Sequence, residues 1–88
     1  MKLKNGFILK RENGQNFIVC TDKNCHFNSS IMLDKTNAFL FEKLLEKERS
    51  KEELFNLILQ NFDVSTVLAL NNIDMFIRIL KENGVIEE

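Results

Sequence analysis

The chain has 88 residues, of which 44% are hydrophobic and 28% are charged. This length predicts one small domain spanning 1–88, and the composition is typical of a globular protein and not of a disordered tail. The net charge of −1 offers no basic surface for nucleic acid or an anionic membrane. Because no apolar run approaches the roughly 20 residues that span a bilayer and no signal peptide is present, we expect a cytoplasmic protein.

The cysteine and histidine content gives little support for catalysis. The two cysteines, Cys20 and Cys25, are too few for the disulfide framework of a secreted protein, so we expect free thiols. With His26, the only histidine, they fall short of the four ligands of a structural zinc site. A small metal or redox protein using these three residues is one alternative. No glycine-rich segment prepares a phosphate or oxyanion site, and we expect no enzyme activity, metal or cofactor.

The first third of the chain predicts a small antiparallel sheet. Residues 7–11 and 16–20 are aromatic and β-branched runs separated by a segment containing Asn13-Gly14. Asn-Gly adopts the positive φ angles of a tight turn, which predicts a β-hairpin. A third strand is expected over residues 27–33. Its middle, residues 28–30, is too polar to be covered on both faces, so we expect it to lie at an edge of the sheet.

Three helices are predicted after the strands. Asp34 is a suitable N-cap for the first helix, and Ser50 with Glu53 forms a capping box for the second. A longer third helix is expected to start near Ser65 and to end close to Gly84, which can take the left-handed C-terminal conformation. A short extended tail follows. The order βββααα predicts an α+β, winged-helix-like fold, in which a three-stranded antiparallel sheet is followed by a three-helix bundle.

The third helix carries apolar residues on two sides. Leu68, Met75 and Ile79 lie nearly opposite the stripe that we expect to face the core. They either pack under the N-terminal strands or the tail, or wall an apolar groove for a partner, to which flexible Met75 adapts. The predicted core stripe consists of Thr66, Ala69, Leu70, Ile73, Phe76, Ile77 and Leu80.

The charge of the third helix does not favour DNA reading, which is the obvious role of a winged-helix protein. A helix that reads DNA carries several basic residues, because phosphate neutralisation supplies most of the affinity. Here Arg78 and Lys81 are balanced by Asp74 and Glu82, so the helix is neutral. A winged-helix DNA-binding transcription regulator is nevertheless kept as the alternative function.

The ordered set of motifs resembles the pyrroloquinoline quinone biosynthesis protein D (PqqD) family, which includes the precursor-peptide recognition elements of ribosomal peptide natural-product pathways. The resemblance runs from about Gly6 to Ile86. The family commonly has asparagine where this chain has Asp34, and often aspartate where it has Asn72. The motifs are the hairpin, Leu33-Asp34-Lys35-Thr36, Leu40-Phe41, Leu44, Ser50-Lys51-Glu52-Glu53-Leu54, Phe62-Asp63-Val64, Ile73, Phe76-Ile77, Leu80 and Gly84-Val85-Ile86.

The resemblance implies a non-catalytic protein that binds the leader segment of a precursor peptide. Such a protein presents the peptide to a tailoring enzyme such as a radical S-adenosylmethionine protein, a cyclase or a leader peptidase, and we expect it to be a monomer or weak dimer. In the family the leader adds as a strand to the third strand and lies against the third helix. Mapped onto this chain, the peptide-binding residues are Asn28, Ser29, Ser30, Ile31, Met32, Leu33, Leu68, Asn72, Met75 and Ile79.

Peptide binding also follows from the strand pattern itself. An edge strand has unpaired backbone N–H and C=O groups, and an extended peptide can pair with them. In this mode of binding the main-chain hydrogen bonds give affinity and the side-chain pockets give specificity.

Overall fold

The computed structural model describes residues 1–21 and 30–87. Within these residues, a three-stranded antiparallel sheet is followed by three helices, which confirms the predicted α+β fold. No helix in this part of the chain is both long enough and apolar enough to cross a membrane. The elements are β1 (Lys2–Leu3), β2 (Phe7–Glu12), β3 (Gln15–Cys20), β4 (Ile31–Leu33), α1 (Lys35–Glu46), α2 (Lys51–Asn61), α3 (Thr66–Glu82) and β5 (Ile86–Glu87).

The hairpin of β2 and β3 has the predicted Asn-Gly turn. Asn13 and Gly14 have φ angles of 52° and 78°, as the two central residues of a type I′ turn require. Glu12 pairs with Gln15 across this two-residue loop, and the pairing continues to Phe7 and Cys20. The type I′ turn therefore fixes the register of the hairpin.

The third strand lies at an edge of the sheet, as predicted, because the strand order is β2-β3-β4. β4 pairs antiparallel with β3, with Ile18 opposite Ile31 and Asn16 opposite Leu33. Strand geometry in the described residues begins at Ile31, so Ser30 precedes the strand. The rest of the predicted strand, residues 27–29, lies outside the described residues.

A second, two-stranded sheet was not predicted from the sequence. Lys2 pairs with Glu87 and Leu3 with Ile86, so that β1 and β5 join the two ends of the chain. The expected C-terminal tail is therefore a short strand. Its partner was missed because two residues are too few to show the alternation by which a strand is recognised.

The helix starts agree with the capping residues identified in the sequence. The Asp34 carboxylate accepts a hydrogen bond from the Asn37 amide at 2.8 Å. Ser50 and Glu53 form both hydrogen bonds of the capping box at the start of α2, and the Ser65 hydroxyl accepts from the Leu68 amide at 3.2 Å at the start of α3. Each cap satisfies an amide that has no partner within its helix.

The core lies between the inner face of the sheet and the three helices. α1 is central, since it packs against β2, β3 and β4 as well as against α2 and α3. The largest side chains that are fully buried are Phe41 of α1 and Phe76 of α3. From the sheet, Phe7, Ile18 and Leu33 contribute to the same buried cluster.

The expectation of free thiols is wrong for Cys20, which is disulfide-bonded in the structure. The expectation rested on the redox state of a cellular compartment. Whether a disulfide forms also depends on local geometry, namely on how close two Cβ atoms lie, and the sequence does not give this distance. Cys25 and His26 lie outside the described residues.

Truncating the ring of Phe76 should strongly destabilise the fold. The side chain has no solvent exposure, and Phe→Ala in a core typically costs about 3–5 kcal/mol through lost burial and the cavity that remains. Urea unfolding of Phe76→Ala should show this loss in the free energy of unfolding. Val67→Ala on the same helix is the matched control, because Val67 is 69% exposed and should change stability by no more than about 0.5 kcal/mol. Equal effects would contradict the assigned core.

The capping box should make stability depend on acidic pH. The hydrogen bond from the Ser50 backbone amide, followed by the Ser50 hydroxyl and the charges of Lys47 and Arg49, lowers the pKa of Glu53. Because the pKa is lower in the folded than in the unfolded chain, the carboxylate stabilises the fold at neutral pH, and this contribution is lost as pH falls. Glu53→Gln should therefore lose less stability between about pH 5 and about pH 3 than the wild type, as measured by urea unfolding. If the wild type and Glu53→Gln lost the same stability over this pH range, Glu53 would not be a source of the acid sensitivity.

Candidate peptide-binding edge

Among the described residues, β4 has a strand neighbour on one side only, and the backbone groups of Met32 point to the other side. The Thr21 amide donates to the Gly6 carbonyl at 2.6 Å, so this pair and every second pair along the hairpin are hydrogen-bonded. On β3, the backbone groups of Asn16 and Ile18 then point away from β2 and towards β4. Their partners on β4 are Leu33 and Ile31. Met32 lies between these two, so its N–H and C=O point away from β3, towards the free edge.

The side chains of β4 alternate between the two faces of the sheet. Leu33 points inward and is 4% exposed, whereas Met32 points outward and is 61% exposed. Ile31 is half-buried on the inner face, and Ser30 is exposed. The remaining two predicted residues of this strand, Asn28 and Ser29, lie outside the described residues.

The second apolar side of α3 is a solvent-exposed strip. At about 100° per residue, Leu68, Asn72, Met75 and Ile79 fall within about 60° of one another around the helix axis. Leu68 is 49% exposed and Met75 is 58% exposed, while Asn72 and Ile79 are half-buried. Burial under the N-terminal strands therefore does not account for Leu68 and Met75. We call these four residues the α3 strip.

The stripe predicted to face the core is narrower than expected. Ala69, Ile73, Phe76 and Leu80 are fully buried, and Ile77 is half-buried. Thr66 and Leu70 are exposed, the latter by 41%. The prediction was wrong for these two because Leu70 lies about 90° from the centre of the buried arc, and Thr66 is in the first turn, where the helix leaves the core.

The α3 strip does not face α2. Lys51 at the start of α2 forms an ion pair with Asp74 at 2.6 Å, and Asp74 lies about 120° around α3 from Leu68. One border of the strip is the buried Phe76, and the exposed Asn71 and Glu82 lie along the other. The strip therefore lies beside the core-facing side of α3, on a part of the helix surface that is open to solvent.

β4 and α3, which carry the open edge and the α3 strip, both pack on α1. Neither the edge nor the strip contains a carboxylate, an amine, an imidazole or a thiol. The edge offers a backbone donor and acceptor that have no strand partner within residues 1–21 and 30–87. The strip offers apolar contact, and the Asn72 amide can donate and accept hydrogen bonds. This arrangement can bind an extended peptide, and its side chains supply no group for acid–base or metal chemistry.

An apolar strip on the outer face of the sheet was missed by sequence reasoning. It crosses all three strands, with Ile8 opposite Val19 and Phe17 opposite Met32. Ile8 is 44% exposed, and Phe17 and Val19 are half-buried. The signal was available, because the runs around these residues are continuously apolar instead of alternating with polar residues, as expected for strands with one solvated face. The outer face therefore continues from Met32 into the body of the sheet.

The residues in the described part of the chain do not support a metal site. Among residues 1–21 and 30–87 there is no group of three or more histidine, cysteine, aspartate or glutamate side chains placed to hold a metal ion. Of the three residues of the alternative metal or redox site, Cys20 is described and Cys25 and His26 lie outside the described residues.

Replacing the exposed methionine of the α3 strip should leave stability almost unchanged. Met75 is 58% exposed, so we expect Met75→Ser to alter the free energy of unfolding by no more than about 0.5 kcal/mol. Ile73→Ala on the same helix removes a side chain with no exposure and should cost about 2–5 kcal/mol. The two variants should be compared by urea unfolding. A loss at Met75 as large as that at Ile73 would show that the strip supports the core.

Two solved structures have the same fold. A structure of TbiB1 in complex with the TbiA(beta) leader peptide aligns with a TM-score of 0.77 at 17% identity, over 99% of this chain and 95% of the other. A structure of lasso peptide synthetase B1 complexed with the leader peptide aligns with a TM-score of 0.74 at 17% identity, over 99% of this chain and 96% of the other. No protein-family model and no curated protein matches the sequence. The chain is thus similar in fold, over nearly its whole length, to proteins solved with bound leader peptides.

Proposed function

We propose that this protein is a non-catalytic, PqqD-like recognition protein for the leader segment of a ribosomally synthesised precursor peptide. The observation that carries the proposal is the open edge of β4, at which the backbone N–H and C=O of Met32 have no strand partner in the described residues. An extended peptide satisfies both groups when it adds as a further antiparallel or parallel strand.

Backbone pairing alone does not distinguish one peptide from another. Every peptide carries the same N–H and C=O groups, so specificity depends on side-chain contacts. We assign this part to the α3 strip, where Leu68 and Met75 are exposed and Asn72 and Ile79 are half-buried. The flexible thioether of Met75 can adapt to side chains of different shape. The preferred leader segment is therefore extended and carries apolar side chains on the face that meets the strip.

The fold comparison supports the same function. Both similar structures contain a B1 protein with its leader peptide, and the residues of this chain provide the edge and the apolar surface that such binding needs. Because Ser30–Leu33 and the α3 strip lack acid, base and thiol groups, we infer that chemistry on the peptide belongs to a separate tailoring enzyme or leader peptidase. We assign the protein to the cytoplasm, where precursor peptides are synthesised.

The charge of α3 argues against the alternative of a DNA-binding regulator. Arg78 and Lys81 are offset by Asp74 and Glu82, and Asp74 is already paired with Lys51 of α2. A neutral helix supplies little of the counterion release that drives binding to DNA. Retained binding of duplex DNA at physiological salt would favour the regulator over the peptide-binding function.

The strand-addition model is tested in two arms. The first removes a backbone hydrogen-bond donor from the protein, and the second removes donors from the peptide. Met32→Pro removes the N–H that faces the open edge, where proline is tolerated because that N–H makes no bond to β3. Calorimetric titration with a synthetic leader from a short precursor encoded beside the gene should show affinity about tenfold lower or worse, through the lost bond and the added ring. Met32→Leu keeps the N–H and is the matched control.

The second arm leaves the protein unchanged and modifies the peptide. Methylation of single backbone nitrogens along the leader should weaken binding at every second residue, because alternate residues of an added strand direct their N–H groups towards β4. Circular dichroism checks that Met32→Pro keeps its helices. Binding that is insensitive to both Met32→Pro and backbone methylation would rule out strand addition.

A further inference from the structure

The edge of β4 lacks the features with which proteins protect open strands. Natural edges carry charged side chains, proline or bulges that prevent pairing with another chain. The other edge strand, β2, contains Lys10, Arg11 and Glu12. The segment Ser30–Leu33 contains no charge and no proline, and its exposed side chain is the apolar Met32. Nothing in this segment disfavours pairing with a second copy of the same strand.

The edge is complementary to itself. In an antiparallel pair related by a two-fold axis perpendicular to the sheet, Met32 of one copy lies opposite Met32 of the second copy. Because the N–H and C=O of this residue point outward in both copies, each N–H can donate to the other C=O. Such a pair places the two methionine side chains next to each other on the outer face, where Met32 alone is 61% exposed.

The same two-fold symmetry brings no like charges together at the flanking residues and places the helices of both copies on one side of the sheet. Asp34 then lies opposite Ser30 of the second copy, so that no like charges oppose each other next to the axis. A two-fold axis perpendicular to the sheet keeps the inner faces of both copies on one side of the joined sheet. The two α3 strips, with Leu68 and Met75 exposed, consequently lie on the same side of the joined sheet.

We propose that two copies of this chain pair through β4 around Met32, and that this dimer closes the edge at which the leader peptide adds. The proposal rests on the proposed function, since it describes regulation of the same site. Dimer and peptide compete for the same backbone groups, so the leader peptide dissociates the dimer, and its apparent affinity falls as the protein concentration rises. The contact is small and is therefore weak and reversible.

Sedimentation velocity on the full chain without peptide tests the contact. We expect the average mass to rise towards that of a dimer at concentrations up to about 1 mM. Met32→Lys places two ammonium groups opposite each other and should hold the protein as a monomer. Leu59→Lys on α2 adds the same charge at a site that is 38% exposed and distant from β4 in the sequence, and should dimerise like the wild type.

Amide hydrogen exchange locates the contact without any substitution. Protection of the Met32 amide in the wild type should increase with protein concentration, and the leader peptide should lower the average mass to that of a one-to-one complex. A wild type that stays monomeric, or a dimer unaffected by Met32→Lys, overturns the proposal, as does a dimer that binds peptide without dissociating. Peptide binding by a protein that never dimerises would overturn this inference alone. Dimerisation without peptide binding would overturn the proposed function and, with it, the competition between dimer and peptide, and would leave only the β4 contact.

Discussion

The hydrogen-bond register of the sheet is the constraint on which the functional interpretation depends. A two-residue turn at Asn13-Gly14 pairs Glu12 with Gln15, and every later pairing in the hairpin follows from it. Since β4 joins β3 with a fixed register, the same turn decides which backbone groups of β4 are used inside the sheet and which face outward. A slip of one residue would expose the groups of Ile31 and Leu33 instead of those of Met32, and would turn the buried Leu33 towards solvent.

α3 has a core-facing side that supports the fold and a second side that we propose for peptide recognition. Its buried side fills the core with Ile73, Phe76 and Leu80, none of which has any solvent exposure. The α3 strip remains at the surface, where the exposed side chains of Leu68 and Met75 can contact a partner. Because a helix is rigid along its axis, the well-packed side holds the exposed side in a fixed position. A binding surface built in this way is preorganised, which reduces the entropy lost on binding.

The open edge of β4 can pair with a peptide, but it can also pair with other strands and so promote aggregation. Unpaired strand groups bind an extended peptide without any dedicated pocket, but they bind other strands equally well. The outer face extends the hazard, since Ile8, Phe17, Val19 and Met32 form an apolar strip across the whole sheet. The proposed reversible dimer would cover this edge in the absence of a peptide. The absence of charge from Ser30–Leu33 is compatible with both proposed uses of the edge.

The sequence by itself determined the local features of this protein. Asn13-Gly14 specified the turn, and Asp34, Ser50 and Ser65 marked the helix starts, because turns and caps depend on residues only a few positions apart. The polar composition of residues 28–30 led to the prediction of an edge strand, and β4 is at an edge of the described sheet, although Ser30 precedes it. The hydrophobic period of α3 likewise showed that Leu68, Met75 and Ile79 lie away from the core stripe.

Only the tertiary structure decided what depends on distant parts of the chain. The pairing of Lys2–Leu3 with Ile86–Glu87 joins segments too short to be recognised separately. The exposure of Leu70 and Met75 and the disulfide at Cys20 depend on which element packs nearby. The outward direction of the Met32 backbone required the pairing of β3 with β4. Local sequence fixes the conformation of a segment, but burial, register and covalent pairing are properties of two segments in contact. Most of the strands and both other helices pack on α1.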